Sequence, residues 1–309
     1  MKTFISLLSV CLISLSIFAQ NQVNLSLNLT QGKTYRLKSS SVTSMSQTIM
    51  DRQQSMETKS FDVMSVKQLS TNANSINVEI KFDSIGYTNS MPQMDVSSSK
   101  PGNLSSTDPG TIMNLILNRL SKSPILVQLS NTGKVLGISN IKAITDSVLA
   151  GMDTLKGESV FMIKLQAKNL VSEENLKGMI EMNTEYLPGK MVQNGDKWDN
   201  QVKISSNGIG ILIKSNFKLK KITGNQAEIK GDLTNEPASS EPVEMGEAQI
   251  TYNARGLGEV TLLVDTNTGW IIKGSSKTHS QGTIGVNYQG QEFDGNIEVD
   301  VNSETIGLP

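Results

Sequence analysis

One short stretch, residues 188–198, divides the chain into a part with helical periodicity and a part that contains only β-strand patterns. Pro188 and Gly189 end a helix, because proline lacks the amide donor and glycine tolerates a positive φ. Asn194-Gly195 is a strong signal for a tight turn. Trp198 then places a large apolar ring at the start of a new sheet. We expect this ring to be largely buried and the turn to set the register of the strands that follow.

Before residue 90, apolar and polar residues alternate with period two, which predicts a meander of antiparallel strands. The clearest examples are residues 23–29 and 76–82. A further strand opens at Tyr35 and fades into a serine- and threonine-rich run towards Met50. Residues 90–106 are rich in serine, proline, asparagine and glycine, so a surface loop is predicted there.

Helical signals are confined to about residues 108–187. Asp108-Pro109 has the composition of a helix start, with aspartate as the cap. Apolar residues then recur every three or four positions, and Ser172 is predicted to cap the last helix. The acidic residues of that helix indicate a solvated face and no acid–base pair; they are Glu173, Glu174 and Glu181.

Two pairs of short motifs recur in the same order. Gly-Lys-Thr-Tyr at 32–35 matches Gly-Asp-Lys-Trp at 195–198, and Asn-Thr-Gly at 131–133 matches Asn-Thr-Gly at 267–269. Together they favour an ancient duplication, although independent use of common hairpin turns would give the same pattern. The predicted fold is therefore mainly β, with curved, half-barrel-like antiparallel sheets in two related halves and a few central helices.

The first nineteen residues have the pattern of a secretion signal: Lys2, an apolar run, and a cleavage position near Ala19. Cys11 lies inside this run. Its lipidation is disfavoured because Val10 is larger than the small residue that usually precedes a lipidated cysteine. We predict a signal peptide at 1–19, an N-terminal β half with the central helices at 20–187, and a C-terminal β half at 188–309. The mature chain would be periplasmic or extracellular.

The remaining signals argue against several function classes. The chain has 28 basic and 29 acidic residues without long runs, so nucleic acid is not an expected partner. No second apolar stretch approaches membrane-spanning length. His279 is the only histidine, and no Gly-x-Ser-x-Gly turn accompanies it. The usual zinc and copper ligand sets cannot be assembled from one histidine and no cysteine in the mature chain.

We therefore predict no catalytic, cofactor-binding or metal-binding residues, and no enzymatic activity. The segment from Asp265 to Gly269 is predicted to be a hairpin turn, because it lacks the later ligands of a calcium loop. Two methionine pairs have a spacing that thioether copper sites also use, but core packing is the favoured interpretation; they are Met91 with Met94 and Met179 with Met182.

The opening at 29–35, the stretch 188–198 and the closing segment 264–270 together resemble an uncharacterised family of exported bacterial proteins, a domain of unknown function. A looser architectural similarity links long curved strands around a few helices to the lipoprotein carriers of the bacterial periplasm, which are half-open β-barrels. The resemblance implies a non-catalytic envelope protein that binds an apolar ligand, such as a lipid, or an acylated partner on a concave β surface. The alternative is a structural or protein-interaction module with a solid core. A hydrolase is the third possibility.

Overall fold

The computed structural model describes residues 22–49, 52–91, 93–155, 158–206 and 208–309. The predicted signal peptide and Cys11 lie outside these ranges. The described residues form fifteen strands: β1 Gln22–Leu25, β2 Thr34–Ile49, β3 Arg52–Thr71, β4 Ser75–Ser90, β5 Gln93–Ser97, β6 Ile125–Ser130, β7 Val135–Ile138, β8 Lys190–Gln193, β9 Lys197–Ser206, β10 Ile209–Thr223, β11 Gln226–Pro237, β12 Val243–Met245, β13 Ala248–Asp265, β14 Ile271–Tyr288 and β15 Gln291–Leu308.

The helices lie where the periodicity predicts them, between residues 109 and 184. They are α1 Pro109–Ser121, α2 Ile141–Val148, α3 Glu158–Leu170 and α4 Glu173–Thr184. Both predicted caps are confirmed: the Asp108 side chain accepts from the first-turn amides of α1, and the Ser172 hydroxyl accepts from Asn175 N at the start of α4. None of the helices in the described ranges is both long and apolar enough to cross a membrane.

Thirteen strands form one antiparallel sheet, and β1 pairs separately with β8. The order across the large sheet is β7-β6-β4-β3-β2-β15-β14-β13-β11-β10-β9, with β5 beside β4 and β12 beside β13. The sheet is not closed into a barrel, and its two edges are β7 and β9. Helix α4 contacts both edge strands, so it spans the gap that the curled sheet leaves open.

The two predicted halves meet in this sheet through the pairing of β2 with β15. Each half contains five strands that are neighbours in the sheet in chain order, β2-β3-β4-β6-β7 in the first and β9-β10-β11-β13-β14 in the second. In each set the Asn-Thr-Gly turn directly precedes the fifth strand. Consecutive residues reach the two turns: Leu27 N donates to Asn131 O at 2.7 Å and Asn28 N donates to Thr268 O at 2.9 Å. The mainly β, curved antiparallel architecture is confirmed. The duplication and the boundary at residue 188 stay predictions.

The helices and the first half of the sheet share one hydrophobic core. The largest fully buried side chains include Met64 and Ile80 from the strands, and Ile112, Ile116 and Leu120 from α1. The stripe on α1 therefore fills the sheet surface beside it, as the period of three to four predicts.

Two local predictions need correction. The first strand ends at Leu25, where its pairing with β8 stops, although Leu27 and Leu29 are buried beyond it. Residues 90–106 are not all surface loop, because they contain β5. In this segment Val96 is fully buried, and Ser97 N donates to the Asn114 side chain at 2.8 Å. Packing against α1 thus orders a segment whose composition is typical of loops.

Candidate functional site

The concave side of the sheet encloses a cavity of about 380 Å³. Its wall is formed by β9, β10, β11 and β13, and its floor by β14, β15, β2 and β3. The C-terminal turn of α4 covers one end. The second half of the sheet thus keeps a hollow at the place where the first half is filled by helices.

Strict alternation along the strands produces this concave face. On β15, Val299, Val301 and Ser303 line the cavity, whereas the intervening Asp300 and Asn302 are exposed on the convex side. Successive side chains of a strand point to opposite faces, so one strand supplies both a cavity lining and a hydrated outer surface.

The wall of the cavity is apolar. Aliphatic and aromatic side chains contribute it from four neighbouring strands: Val202, Ile204, Ile211, Ile213, Phe217, Leu233, Tyr252, Val260 and Leu262. Most of these side chains are only partly buried, because no element of the described chain packs fully over them.

The floor carries small hydroxyl side chains. Ser276, Ser303, Ser41 and Ser60 form one continuous row across β14, β15, β2 and β3. The Ser41 and Ser60 hydroxyls are 2.7 Å apart and share a hydrogen bond. Because serine is small, this row leaves empty space where larger side chains would close the cavity.

Glycine allows one close contact in the lining. Asn235 Nδ2 donates to Ser280 Oγ at 2.9 Å, and Gly256 lies on the strand between them. A Cβ at Gly256 would collide with both polar groups. Glycine at this inward-facing position therefore permits a hydrogen bond across β13.

Asp62 is the carboxyl group of the floor. It lies on β3, two residues along from Ser60. Across the sheet it pairs with Ser39 of β2, which in turn pairs with Thr305 of β15. Burial raises the pKa of Asp62 to about 6. Its Oδ2 atom is buried and has no hydrogen-bond partner among the described residues.

Two further carboxyl groups come from the end of α4. Glu181 is 3% exposed, so the prediction of a solvated position for it is wrong. Its Oε1 accepts a hydrogen bond from Val135 N at 2.9 Å. Since β7 is an edge strand, this carboxyl group satisfies an amide that would otherwise lack a partner. Burial raises the pKa of Glu181, and this hydrogen bond partly offsets the shift.

Glu185 directly follows α4, one turn after Glu181, and its side chain is only 7% exposed. Burial, followed by the charge of Glu181, raises the pKa of Glu185 to about 7. The nearest basic group, Lys134 Nζ, is 3.9 Å from its Oε1, and its Oε2 has no hydrogen-bond partner in the described residues. Strongly shifted carboxyl groups in a cleft mark a candidate functional site.

His279 lies on the opposite, convex face. Its Nδ1 is 3.0 Å from Asp300 Oδ1 and 3.9 Å from Glu298 Oε1, and all three side chains are exposed. These groups are close enough to hold a metal ion together, a grouping that the sequence pattern alone does not reveal. Exposed acidic groups gather in this way on many surfaces, and the cluster is separated from the cavity carboxyl groups by the sheet.

The sequence analysis also named a possible calcium loop and two methionine pairs. Asp265 Oδ1 accepts from the amides of Asn267 and Thr268, so the segment is a hairpin turn as predicted. In the first methionine pair, Met91 is exposed, whereas Met94 is partly buried and accepts from the Tyr87 hydroxyl. In the second pair, Met179 packs against the core, whereas Met182 is exposed and lines the cavity.

A concave β surface was predicted from the sequence but no site residues were, and the residues that line the cavity were missed for a physical reason. Serine and threonine at alternate positions look like a solvated face when each strand is read alone. The sequence does contain a signal for the cavity floor: serine and threonine recur at alternate positions in three separate strands, around residues 39–41, 276–280 and 303–305.

Comparison with known proteins gives a family but no activity. A family described as a family of unknown function, DUF6263, matches residues 73–271. No curated protein matches the chain.

Similarity to solved structures is low. The structure titled "Lipid-protein interactions in lipovitellin" has 10% identity and a TM-score of 0.42, covering 91% of this chain and 25% of that chain. The chain thus spans about a quarter of the lipovitellin chain that it matches. An outer membrane channel from Pseudomonas putida F1 has 5% identity and a TM-score of 0.23, with 89% of this chain and 97% of that chain covered. OpdO of Pseudomonas aeruginosa has 5% identity and a TM-score of 0.23, with coverages of 90% and 98%.

Proposed function

The chain belongs to that family of unknown function, and we propose that it is an exported, non-catalytic protein of the cell envelope that binds an apolar ligand in the concave cavity. The observation that carries the proposal is the apolar wall on β9, β10, β11 and β13, most of whose side chains the protein's own helices leave only partly buried. Exposed apolar surface of this kind is unfavourable in water, and a ligand that covers it gains about 25 cal/mol per Å².

The size of the cavity supports a small-molecule ligand. Its volume of about 380 Å³ falls within the range of roughly 300–1,000 Å³ that is usual for ligand pockets. A solid structural module would need this space to be filled. The first half of the sheet has such a filled core, and the contrast between the two halves favours a binding role for the second.

The arrangement of polar groups favours binding over catalysis. A serine nucleophile needs an adjacent base, but Ser41 and Ser60 bond to each other and His279 lies across the sheet. The shifted carboxyl groups of Asp62 and Glu185 would be the starting point for a hydrolase. No histidine, lysine or arginine accompanies them in the described lining of the cavity.

Export rests on the pattern at residues 1–19. Mass spectrometry of the protein from fractionated cells tests it, because a chain beginning near Gln20 in the envelope or medium is expected. A full-length chain retained in the cytoplasm would contradict export without affecting the cavity.

Ligand binding can be tested with the neutral apolar fluorophore N-phenyl-1-naphthylamine, whose emission rises in apolar surroundings. The wild-type protein is expected to bind it saturably. Ser303→Trp places an indole in the middle of the floor and should weaken binding by about tenfold or more. Asn302→Trp adds the same ring to the convex side of the same strand and should leave binding unchanged.

Melting temperatures of both variants show whether each protein is folded. Absence of saturable binding to the wild-type protein would contradict the proposal. Equal affinities for two folded variants and the wild type would place the bound fluorophore elsewhere and would contradict it as well.

A further inference from the structure

Two of the carboxyl groups that line the cavity each have one buried oxygen without a hydrogen-bond partner among the described residues. They are Oδ2 of Asp62 and Oε2 of Glu185. Only 7% of the Glu185 side chain is exposed. A buried acceptor without a donor is unfavourable, and a bound group that donates hydrogen bonds there would remove that cost.

The ionisable carboxyl groups in the lining of the cavity all carry charge of one sign, and the nearest lysines lie outside that lining. Asp62, Glu181 and Glu185 all line the cavity, and none of its described lining residues is Lys, Arg or His. Lys134 and Lys177 approach Glu185 and Glu181 only to 3.9 Å, and neither lysine lines the cavity.

The backbone adds to this charge. Glu181 and Glu185 lie at the C-terminal end of α4, where the helix dipole places partial negative charge.

From this arrangement we infer that the cavity ligand is an amphiphile with a cationic, hydrogen-bond-donating head, such as a protonated amine. The head binds Asp62 and Glu185, and the apolar chain lies along the wall formed by β9, β10, β11 and β13. This inference rests on the proposed function and names the head-group class of the ligand.

The neighbouring hydroxyl groups suit the same head. Ser39 and Thr305 share the row of Asp62, and their oxygens can accept hydrogen bonds from an ammonium group. A carboxylate or phosphate head would instead bring negative charge to three carboxyl groups without meeting a cation.

Three probes of equal chain length test the head group: dodecylamine, dodecanol and dodecanoate, each below its micellar concentration. Each displaces N-phenyl-1-naphthylamine from the purified full chain at neutral pH. The amine, which is protonated at this pH, is expected to bind about tenfold more tightly than the alcohol, since hydrogen bonds to charged groups are the stronger ones. Dodecanoate is expected to bind most weakly.

The double variant Asp62→Asn with Glu185→Gln should reduce the affinity for the amine to that for the alcohol. The matched control Asp300→Asn removes a carboxylate from the convex face and should keep the tenfold preference. Equal affinity of the wild type for amine and alcohol, or tightest binding of dodecanoate, would overturn the head-group inference while leaving apolar binding intact. If neither the fluorophore nor the alcohol binds, the proposed function itself fails.

Discussion

The indole Nε1–H of Trp198 donates a hydrogen bond to the backbone carbonyl oxygen of Tyr186 at 3.1 Å. The Trp198 side chain is 7% exposed, and its ring centroid lies 5.9 Å from that of Phe217. The Tyr186 hydroxyl in turn donates to the carbonyl oxygen of Gly269 at 2.5 Å. Two adjoining bonds thus connect the edge strand β9, the segment after α4 and the turn before β14.

Replacement of Trp198 by alanine should therefore lower the free energy of unfolding by about 3–5 kcal/mol, as for other buried aromatics. Trp198→Phe retains a ring against Phe217 and loses the hydrogen bond, so it should cost about 1–3 kcal/mol. Chemical denaturation of the three proteins measures these differences. An alanine variant as stable as the wild type would contradict the role of Trp198 as a buried anchor and would favour an exposed ligand-stacking role.

Gly195 and Gly269 both have a positive φ, but only Gly269 is packed closely against another part of the chain. Alanine at the two positions therefore separates the cost of backbone strain from the cost of a steric clash. Gly195 has a φ of 97° and a Cβ there would meet nothing within 4 Å. Gly269 has a φ of 67°, and a Cβ there would collide with the carbonyl oxygen of Ser26. Gly195→Ala should cost about 1–2 kcal/mol from the left-handed conformation alone.

Gly269→Ala should lower the free energy of unfolding by about 1–3 kcal/mol more than Gly195→Ala does, because the new methyl group also displaces the backbone at Ser26. Urea denaturation of both variants separates the two contributions. Equal losses of stability would show that Ser26 moves away freely and that the turn does not pack as described.

The buried carboxyl group of Glu185 predicts a pH dependence. Because burial raises its pKa from 4.5 to about 7, the folded state favours the protonated form. The stability due to this group is fully present below pH 4.5 and is lost as pH rises through about 7.

Glu185→Gln removes this loss, so the variant should be more stable than the wild type at pH 8 and equal to it at pH 4. Allowing for screening by solvent, the gain at pH 8 is on the order of 1–3 kcal/mol. Thermal melts at the two pH values provide the measurement. Glu304→Gln, at an exposed position on the convex side of β15, serves as the control. A variant that is no more stable at pH 8 would contradict the burial of this carboxyl group in the folded protein.

Local features of the fold could be predicted from sequence because they depend on neighbouring residues. Capping by Asp108 and Ser172, the Asn194-Gly195 turn and the hairpin at Asp265 are all of this kind. Asp196 N donates to Gln193 O at 3.0 Å, which closes the predicted turn. The caps and turns each involve groups within a few residues, so their chemistry is visible in a short window.

The residues that line the cavity could not be predicted in the same way, because the lining depends on which strands are neighbours. The pairing of β2 with β15 brings Ser41 beside Ser303, and no local pattern encodes that contact. The solvated position predicted for Glu181 was wrong for a related reason. Its burial is explained by the unpaired amide of Val135 on an edge strand 46 residues away, which only the tertiary structure shows.

Native mass spectrometry of the protein purified from the cells that produce it tests the central claim most directly. The wild-type protein and Asn302→Trp should each carry a bound apolar molecule, visible as the same mass excess over the protein chain. Ser303→Trp, with its cavity occupied by the indole, should lack that excess. A wild-type protein without bound apolar molecules, or a folded Ser303→Trp protein that carries them equally, would contradict ligand binding in the concave cavity.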